Sequence, residues 1–334
     1  MKNILLLFIG FTFLAPRFLN GQDMQFTQFY ASPVYLNPAF TGANSCSRVS
    51  LIYRKQWNGM SNPYTSYMVS FDHYLYNKHI GLGLIVAEDH AGAGSLKTTL
   101  IKPSIAYGFK ITKKHSIRLG MQPGVGIRSV DYGKLLFGDQ IYRGGNNVAT
   151  VEAPMQSKTY FDLSAGILLN GKQFWTGVSI YHLNAPNESM INGSPSRIPM
   201  QLSLHSGFKI DLNTEEKDSH QKKYFTPVLH YRHQKKFDQL DIGFYLTKHI
   251  FTVGAWYRGI PLLKAYQKGY QNNDALAFIG GLQTERLKVG YSYDITISNL
   301  ARVAKGAHEI TLSLQICDPK KRKTKFELIS CPKF

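Results

Sequence analysis

The residues with catalytic or ligating side chains are scattered, and none falls into a spacing that performs chemistry. The chain has no G-x-S-x-G elbow, no H-E-x-x-H helix and no phosphate-cradling Walker loop. Ser70, Asp72 and His73 supply the residue types of a nucleophile relay, and Glu88, Asp89 and His90 those of a metal cluster. Each set lies in an alternating strand pattern, which sends neighbouring side chains to opposite faces, so they read as girdle or loop clusters. The glycine runs at Gly81 and Gly124 have no helix after them and mark strand faces thinned for a close neighbour. Three cysteines, Cys46, Cys317 and Cys331, lack metal-site spacing. In an exported chain one bridge is expected, with Cys317–Cys331 the most local pairing and Cys46–Cys317 its competitor at a closing seam. Asn187-Glu-Ser189 and Asn192-Gly-Ser194 match a glycosylation acceptor, a pattern common by chance. No enzyme activity, metal or cofactor is expected.

What the chain does specify is strands. Leu82, Leu84 and Val86 alternate with Gly81, Gly83 and Ile85, and Leu119 and Met121 with Arg118, Gly120 and Gln122. Fourteen such rows run between residues 47 and 317, many of the ~9–11 residues that a tilted transmembrane strand needs. Tight connections alternate with long ones at 130–158, 184–197, 259–273 and 299–305, as in an outer-membrane barrel with short periplasmic turns and long outer loops. A long polar connection at 212–222 breaks that alternation. The reading is an all-β, antiparallel outer-membrane β-barrel of about 14 strands. A soluble sandwich or propeller is the rival, opposed by strand number and by the lack of a blade repeat.

The expected organisation is a signal peptide over residues 1–21, an N-terminal plug-like segment over 22–45, the barrel over 46–317 and a basic periplasmic tail over 318–334. Lys2 precedes an apolar run too short to span a membrane, and no other run approaches the ~20 residues of a spanning helix. In the segment from Gln22, Pro33 and Pro38 remove backbone donors and forbid a long helix or central strand, yet Phe26, Phe29, Tyr30, Tyr35, Leu36 and Phe40 need a dry place. With Asn37 and Pro38 between them, they are expected to pack in or against the barrel. Arg54 and Asp72, on adjacent strands, are candidates for a buried pair holding that segment or for a solvated pair at the rim. The net charge of +18 points to anionic lipid, lipopolysaccharide or an acidic partner, not nucleic acid. Part of it is the tail cluster Lys320, Lys321, Arg322, Lys323 and Lys325.

QFTQFYASPVYLNPAFTG, then YRKQW, the Pro63 to Ser66 run with SFDHYL, GLGLIVAEDHAG, PSIAYGFK and the final CPKF together resemble the PorP/SprF family of type IX secretion system membrane proteins of Bacteroidota. The most specific part is SPxxLNPAxTG followed by YRxQW. The resemblance implies an outer-membrane barrel serving the secretion and gliding machinery. It also implies partners among the periplasmic and outer-membrane components of that system, or a large secreted surface protein, adhesin-like, handled through its C-terminal domain. A channel for small hydrophobic or polar substrates is the alternative function.

Overall fold

The computed structural model describes residues 23–317 except 45, 93–94, 113, 146–147, 153–154, 213–222 and 268–269. The signal-peptide segment, Cys331 and the basic tail lie outside the described residues, as does most of the 212–222 connection. The strands are β1 (Ser47–Gln56), β2 (Tyr64–Leu75), β3 (Ile80–Ala91), β4 (Leu96–Lys110), β5 (Ser116–Ser129), β6 (Lys158–Asn170), β7 (Phe174–Tyr181) and β8 (Gln201–Phe208). They continue with β9 (Ile210–Asp211), β10 (Lys223–Gln234), β11 (Phe237–Lys248), β12 (Phe251–Gln267), β13 (Tyr270–Gln283), β14 (Leu287–Thr296) and β15 (Ala307–Ile316). Each of the long strands pairs antiparallel with its sequence neighbours, and β1 pairs with β15, which closes a 14-strand barrel. The two-residue β9 extends β8 and pairs with β10 only.

The alternation has the polarity of a protein dissolved in lipid. Along β1, Leu51 is 41% exposed on the outer surface while Arg54, three residues on, is 2% exposed in the lumen. Tyr67, Val69 and Phe71 repeat this outside β2, with Ser66, Ser70 and Asp72 inside. An apolar exterior around a polar interior is unfavourable in water and stable in a bilayer, where a closed ladder satisfies every mid-strand amide. Pro103 of β4 and Pro123 of β5 lie opposite each other, where the β4–β5 ladder is interrupted between Ile101↔Val125 and Ile105↔Met121 with the register unchanged on either side, so neither proline takes a donor from a β4–β5 pair.

Two expectations are corrected. The stretch 259–273 is not a loop: β12 runs to Gln267 and β13 starts at Tyr270, with register shifts at Arg258/Gly259, Ile260/Ala265 and Ala265/Gln267. Gly259, with φ of 147°, provides the bulge that lets a strand continue past a point where proline and glycine break the alternation. The expected strand 198–211 instead starts at Gln201 and breaks at Lys209.

The seam where β1 meets β15 carries a disulfide between Cys46 and Cys317, whose Cα atoms are 4.5 Å apart and 271 residues apart in sequence. This is the seam pairing, not the local one with Cys331. Closing so long a loop is worth up to about 5 kcal/mol against the unfolded chain. Cys46→Ser/Cys317→Ser is expected to leave the native barrel intact but lower its urea midpoint, read from the mobility shift of unfolded barrel on electrophoresis. An unchanged midpoint would show that strand pairing alone sets the stability of the seam.

Candidate functional site

The lumen is filled from within by residues 23–44. The segment takes three single turns, Phe29–Ala31, Pro33–Leu36 and Pro38–Phe40, each ended before a regular helix can grow. Pro33 and Pro38 occupy first-turn positions, where the missing N–H costs nothing, and the Asn37 side chain accepts the Ala39 N–H at 2.8 Å to cap the last turn. The prolines thus do exclude the segment from the sheet while stiffening it as a plug.

Two apolar clusters seat its side chains. Phe29, Tyr30, Leu36 and Phe40 pack with Leu168, Trp175, Val228, Tyr245 and Trp256, the Phe29 and Trp256 rings meeting edge-on at 5.0 Å. Met24, Phe26 and Val34 pack with Ile52, Met68 and Ile85, with Tyr35 against that cluster. Tyr35 donates its hydroxyl to the Met24 carbonyl at 2.6 Å, and the Tyr181 hydroxyl donates to the Leu36 carbonyl at 2.6 Å. Glycines make room on the wall. A Cβ on Gly120 would lie 2.3 Å from the backbone of Pro38 and Ala39, and one on Gly81 would lie 1.9 Å from the Thr41 carbonyl oxygen.

Polar anchors hold the plug at several levels. At its front, Glu309 accepts the Thr27 and Gln28 N–H groups, both at 2.7 Å, and the Thr27 hydroxyl donates to Asp294. Arg54 bridges Asp294 at 2.8 Å and Glu309 at 3.0 Å, and Arg258 bridges Asp241 at 2.8 Å and Asp294 at 3.1 Å. At its back, Arg118 donates to the Ala39 and Thr41 carbonyls. Asp72 accepts the Gly42 N–H at 3.0 Å and pairs with Arg48 at 2.8 Å. Arg54 and Asp72 therefore both hold the plug, but they do not pair with each other. The β1–β2 register sets Arg48 opposite Asp72 and Ser66 opposite Arg54.

A third anchor sits where β7 opens into its long loop. His182 lies between Asp162, 2.9 Å from Nδ1, and Asp23, 3.0 Å from Nε2, while Lys102 pairs with Asp162 at 2.5 Å. Burial would lower the pKa of His182, but Asp23 and Asp162 outweigh it and raise the value to about 9. Burial likewise raises that of Asp23, and His182 overcomes this to hold it below the usual carboxylate range. A raised histidine stabilises the folded state fully below its unfolded value of about 6.5 and loses that contribution as pH rises through about 9. Amide exchange at Met24 to Phe26 is therefore expected to accelerate between pH 8 and 10 beyond the intrinsic rate. His182→Gln should abolish the extra acceleration, and an acceleration that persists in it would locate the titration elsewhere.

The chemistry-bearing sets of the sequence do not assemble. Ser70 bonds Ser32, His73 bonds Ser47 and Asp72 binds Arg48, three separate contacts in place of a relay. Glu88 pairs with His90 and Lys97, while Asp89 turns inward to Tyr64 and Ser66. No group of metal-ligating residues occurs among the described residues. The Asn187 side-chain oxygen accepts the Ser189 and Ser196 N–H groups, so this asparagine shapes its loop. Glu309, Asp294, Arg258 and Arg118 carry the plug without having been singled out. Their signal was a charge at an inward position of an outwardly apolar strand, as in Glu309 before Ile310, Leu312 and Leu314.

The family description "Type IX secretion system membrane protein PorP/SprF" matches residues 18–314. The chain belongs to the PorP/SprF family. As a member it is an outer-membrane β-barrel of a secretion system. No curated protein matches it in sequence. Similar solved structures are the P. putida toluene transporter TodX (10% identity, TM-score 0.45, covering 87% of this chain and 94% of that one) and the Ralstonia pickettii toluene transporter TbuX (9%, 0.45, 86% and 93%). BamA from Haemophilus ducreyi lacking POTRA domains 1–3 is similar over 82% of this chain and 71% of that one, at 11% identity and TM-score 0.39.

Proposed function

We propose that this PorP/SprF barrel helps to secrete, or to hold at the cell surface, one large adhesin-like protein through its C-terminal domain, in contact with other components of the type IX machinery. The observation that carries the reading is the plug. A lumen filled by buried aromatic residues and tied at both ends by hydrogen bonds to charged residues of the wall suits a scaffold that displays loops better than a conduit. The transport alternative, a channel for small hydrophobic or polar substrates, rests on the same general architecture, a 14-strand barrel with an N-terminal plug. A signal peptide at 1–21 and a basic periplasmic tail at 318–334 complete the proposal.

The loops between β5 and β6 and between β7 and β8 are the surfaces offered for the partner. They are built: Asp139 accepts from Val151 N–H and Thr150 and pairs with Arg143, and Glu188 pairs with Arg128. Replacing 131–157 or 184–197 with a short Gly-Ser turn is expected to abolish co-purification of the surface protein while the barrel keeps its folded mobility. Undiminished co-purification from both deletions would overturn the proposal.

A further inference from the structure

Above the plug, on the side of the long loops, the lumen holds a cavity of about 500 Å³. That lies within the ~300–1,000 Å³ range of ligand sites. Plug residues Phe26 and Tyr35 form its floor, and Trp57 and Tyr160 stand on its wall. The carboxylates around it are already engaged: Asp23 with His182, Asp89 with Tyr64 and Ser66, Glu188 with Arg128. Three side chains keep capacity: His230 Nδ1 lines the cavity without a hydrogen-bond partner among the described residues and is a donor when Ser203 donates to Nε2, and the other two are donors outright. Gln122 Nε2 and Arg232 Nε are buried, belong to residues lining the cavity and have no hydrogen-bond partner among the described residues. Arg197, exposed on the loop after β7, also lines it.

We infer that this cavity is a receptor site for the carboxylate end of an extended peptide, whose terminal oxygens take the Gln122 and Arg232 donors and whose last side chains lie against the aromatic floor. A buried donor is satisfied by an acceptor, and an aromatic floor beside it selects a ligand that carries both an acceptor and an apolar body. Among the other charges of the wall, Asp23 pairs with His182, Lys102 with Asp162 and Glu188 with Arg128, and Asp89 is held by the Tyr64 and Ser66 hydroxyls. Arg232 reaches Asp241 through Nη2 and keeps only Nε open, so the site reads one acceptor-rich end and not a polyanion. With the plug as its floor the site is entered and left on the outer side, which is capture and not passage. An extended chain rises ~3.3 Å per residue, so only the last few residues enter and the remainder lies among the loops.

The inference stands apart from the secretion reading, because its test contains no secretion partner. Titration calorimetry of the purified barrel in detergent would compare acetyl-Leu-Tyr-Phe as the free acid, the same peptide as its C-terminal amide, and phenylpropanoate. The free acid is expected to bind at least tenfold more tightly than the amide. Gln122→Leu and Arg232→Gln should each weaken it at least fivefold, Gln122→Leu at an unchanged thermal midpoint. Equal affinity for acid and amide, or no binding of the acid at millimolar concentration, would overturn the inference. Phenylpropanoate binding as tightly as the peptide acid would also overturn it, assigning the cavity to free organic acids. Failure here leaves the loop-deletion result unaffected, and a failed co-purification result leaves the calorimetry unaffected.

Discussion

Glu309→Ala is expected to release the front of the plug while the barrel stays closed, with protease cleavage appearing after Phe26, Phe29 or Tyr30 in a protein otherwise resistant there. The Glu309 carboxylate accepts two plug amides at 2.7 Å and the Arg54 guanidinium at 3.0 Å, and its side chain is fully buried. Its removal leaves two N–H groups and part of a cation in the lumen without their acceptor. Breaking one side of a buried ion pair costs about 3–5 kcal/mol, because the remaining charge keeps its desolvation penalty. The backbone of β15 is not affected, since Glu309 pairs with Arg54 and Ser292 through the ladder and the Cys46–Cys317 bond holds the seam. The loss therefore falls on the plug and not on the wall. Glu309→Gln keeps an acceptor oxygen but loses the charge, so intermediate protection is expected. If Glu309→Ala is as resistant as the parent protein, the aromatic clusters alone hold the plug, and the ion network has another purpose.

The barrel was legible in the sequence because lipid imposes its pattern residue by residue. Tyr53 beside Arg54, and Phe71 beside Asp72, cannot both face one medium, and period two separates them. The plug was legible for the opposite reason, since Pro33 and Pro38 sit among aromatics where no strand can run. What the sequence could not supply is register across the closed ring. Arg54 meets Glu309 255 positions away because β1 closes on β15, whereas the nearer Asp72 lies too far along β2 to reach it. The His182 anchor likewise draws Asp23, Lys102 and Asp162 from the plug, β4 and β6, which no local spacing relates. Bulges are the second gap. Gly259 and Pro261 read as loop, and only the observed register shifts show a hairpin that bends and continues.

The second large effect concerns the back of the plug. Gly120→Val is expected to unseat Pro38 to Thr41, raising protease access there and the conductance of the barrel in planar bilayers. The new Cβ would come within 2.3 Å of backbone atoms of Pro38 and Ala39, and neither can swing aside as a flexible side chain would. Overpacking of this kind costs about 1–3 kcal/mol, and more where backbone must move. Gly120 is an inward position of β5, between outward Leu119 and Met121, so its pairing with Ala106 and Gly166 survives the change. Gly280→Ala on β13 is the control, because a Cβ there meets nothing within 4 Å, and it should leave both readouts unchanged. Unaltered conductance and protection in Gly120→Val would mean that the wall yields instead of the plug. Combined with Glu309→Ala, the substitution asks whether the plug is one unit. The front is held by Glu309 and Arg54 and the back by Arg118 and Asp72, with no anchor shared. Sites that share no partner add in free energy, while halves that seat together would show one variant exposing both. Cleavage confined to the front in Glu309→Ala and to the back in Gly120→Val is the expected pattern, because the Pro33 and Pro38 turns divide the segment into separately anchored pieces.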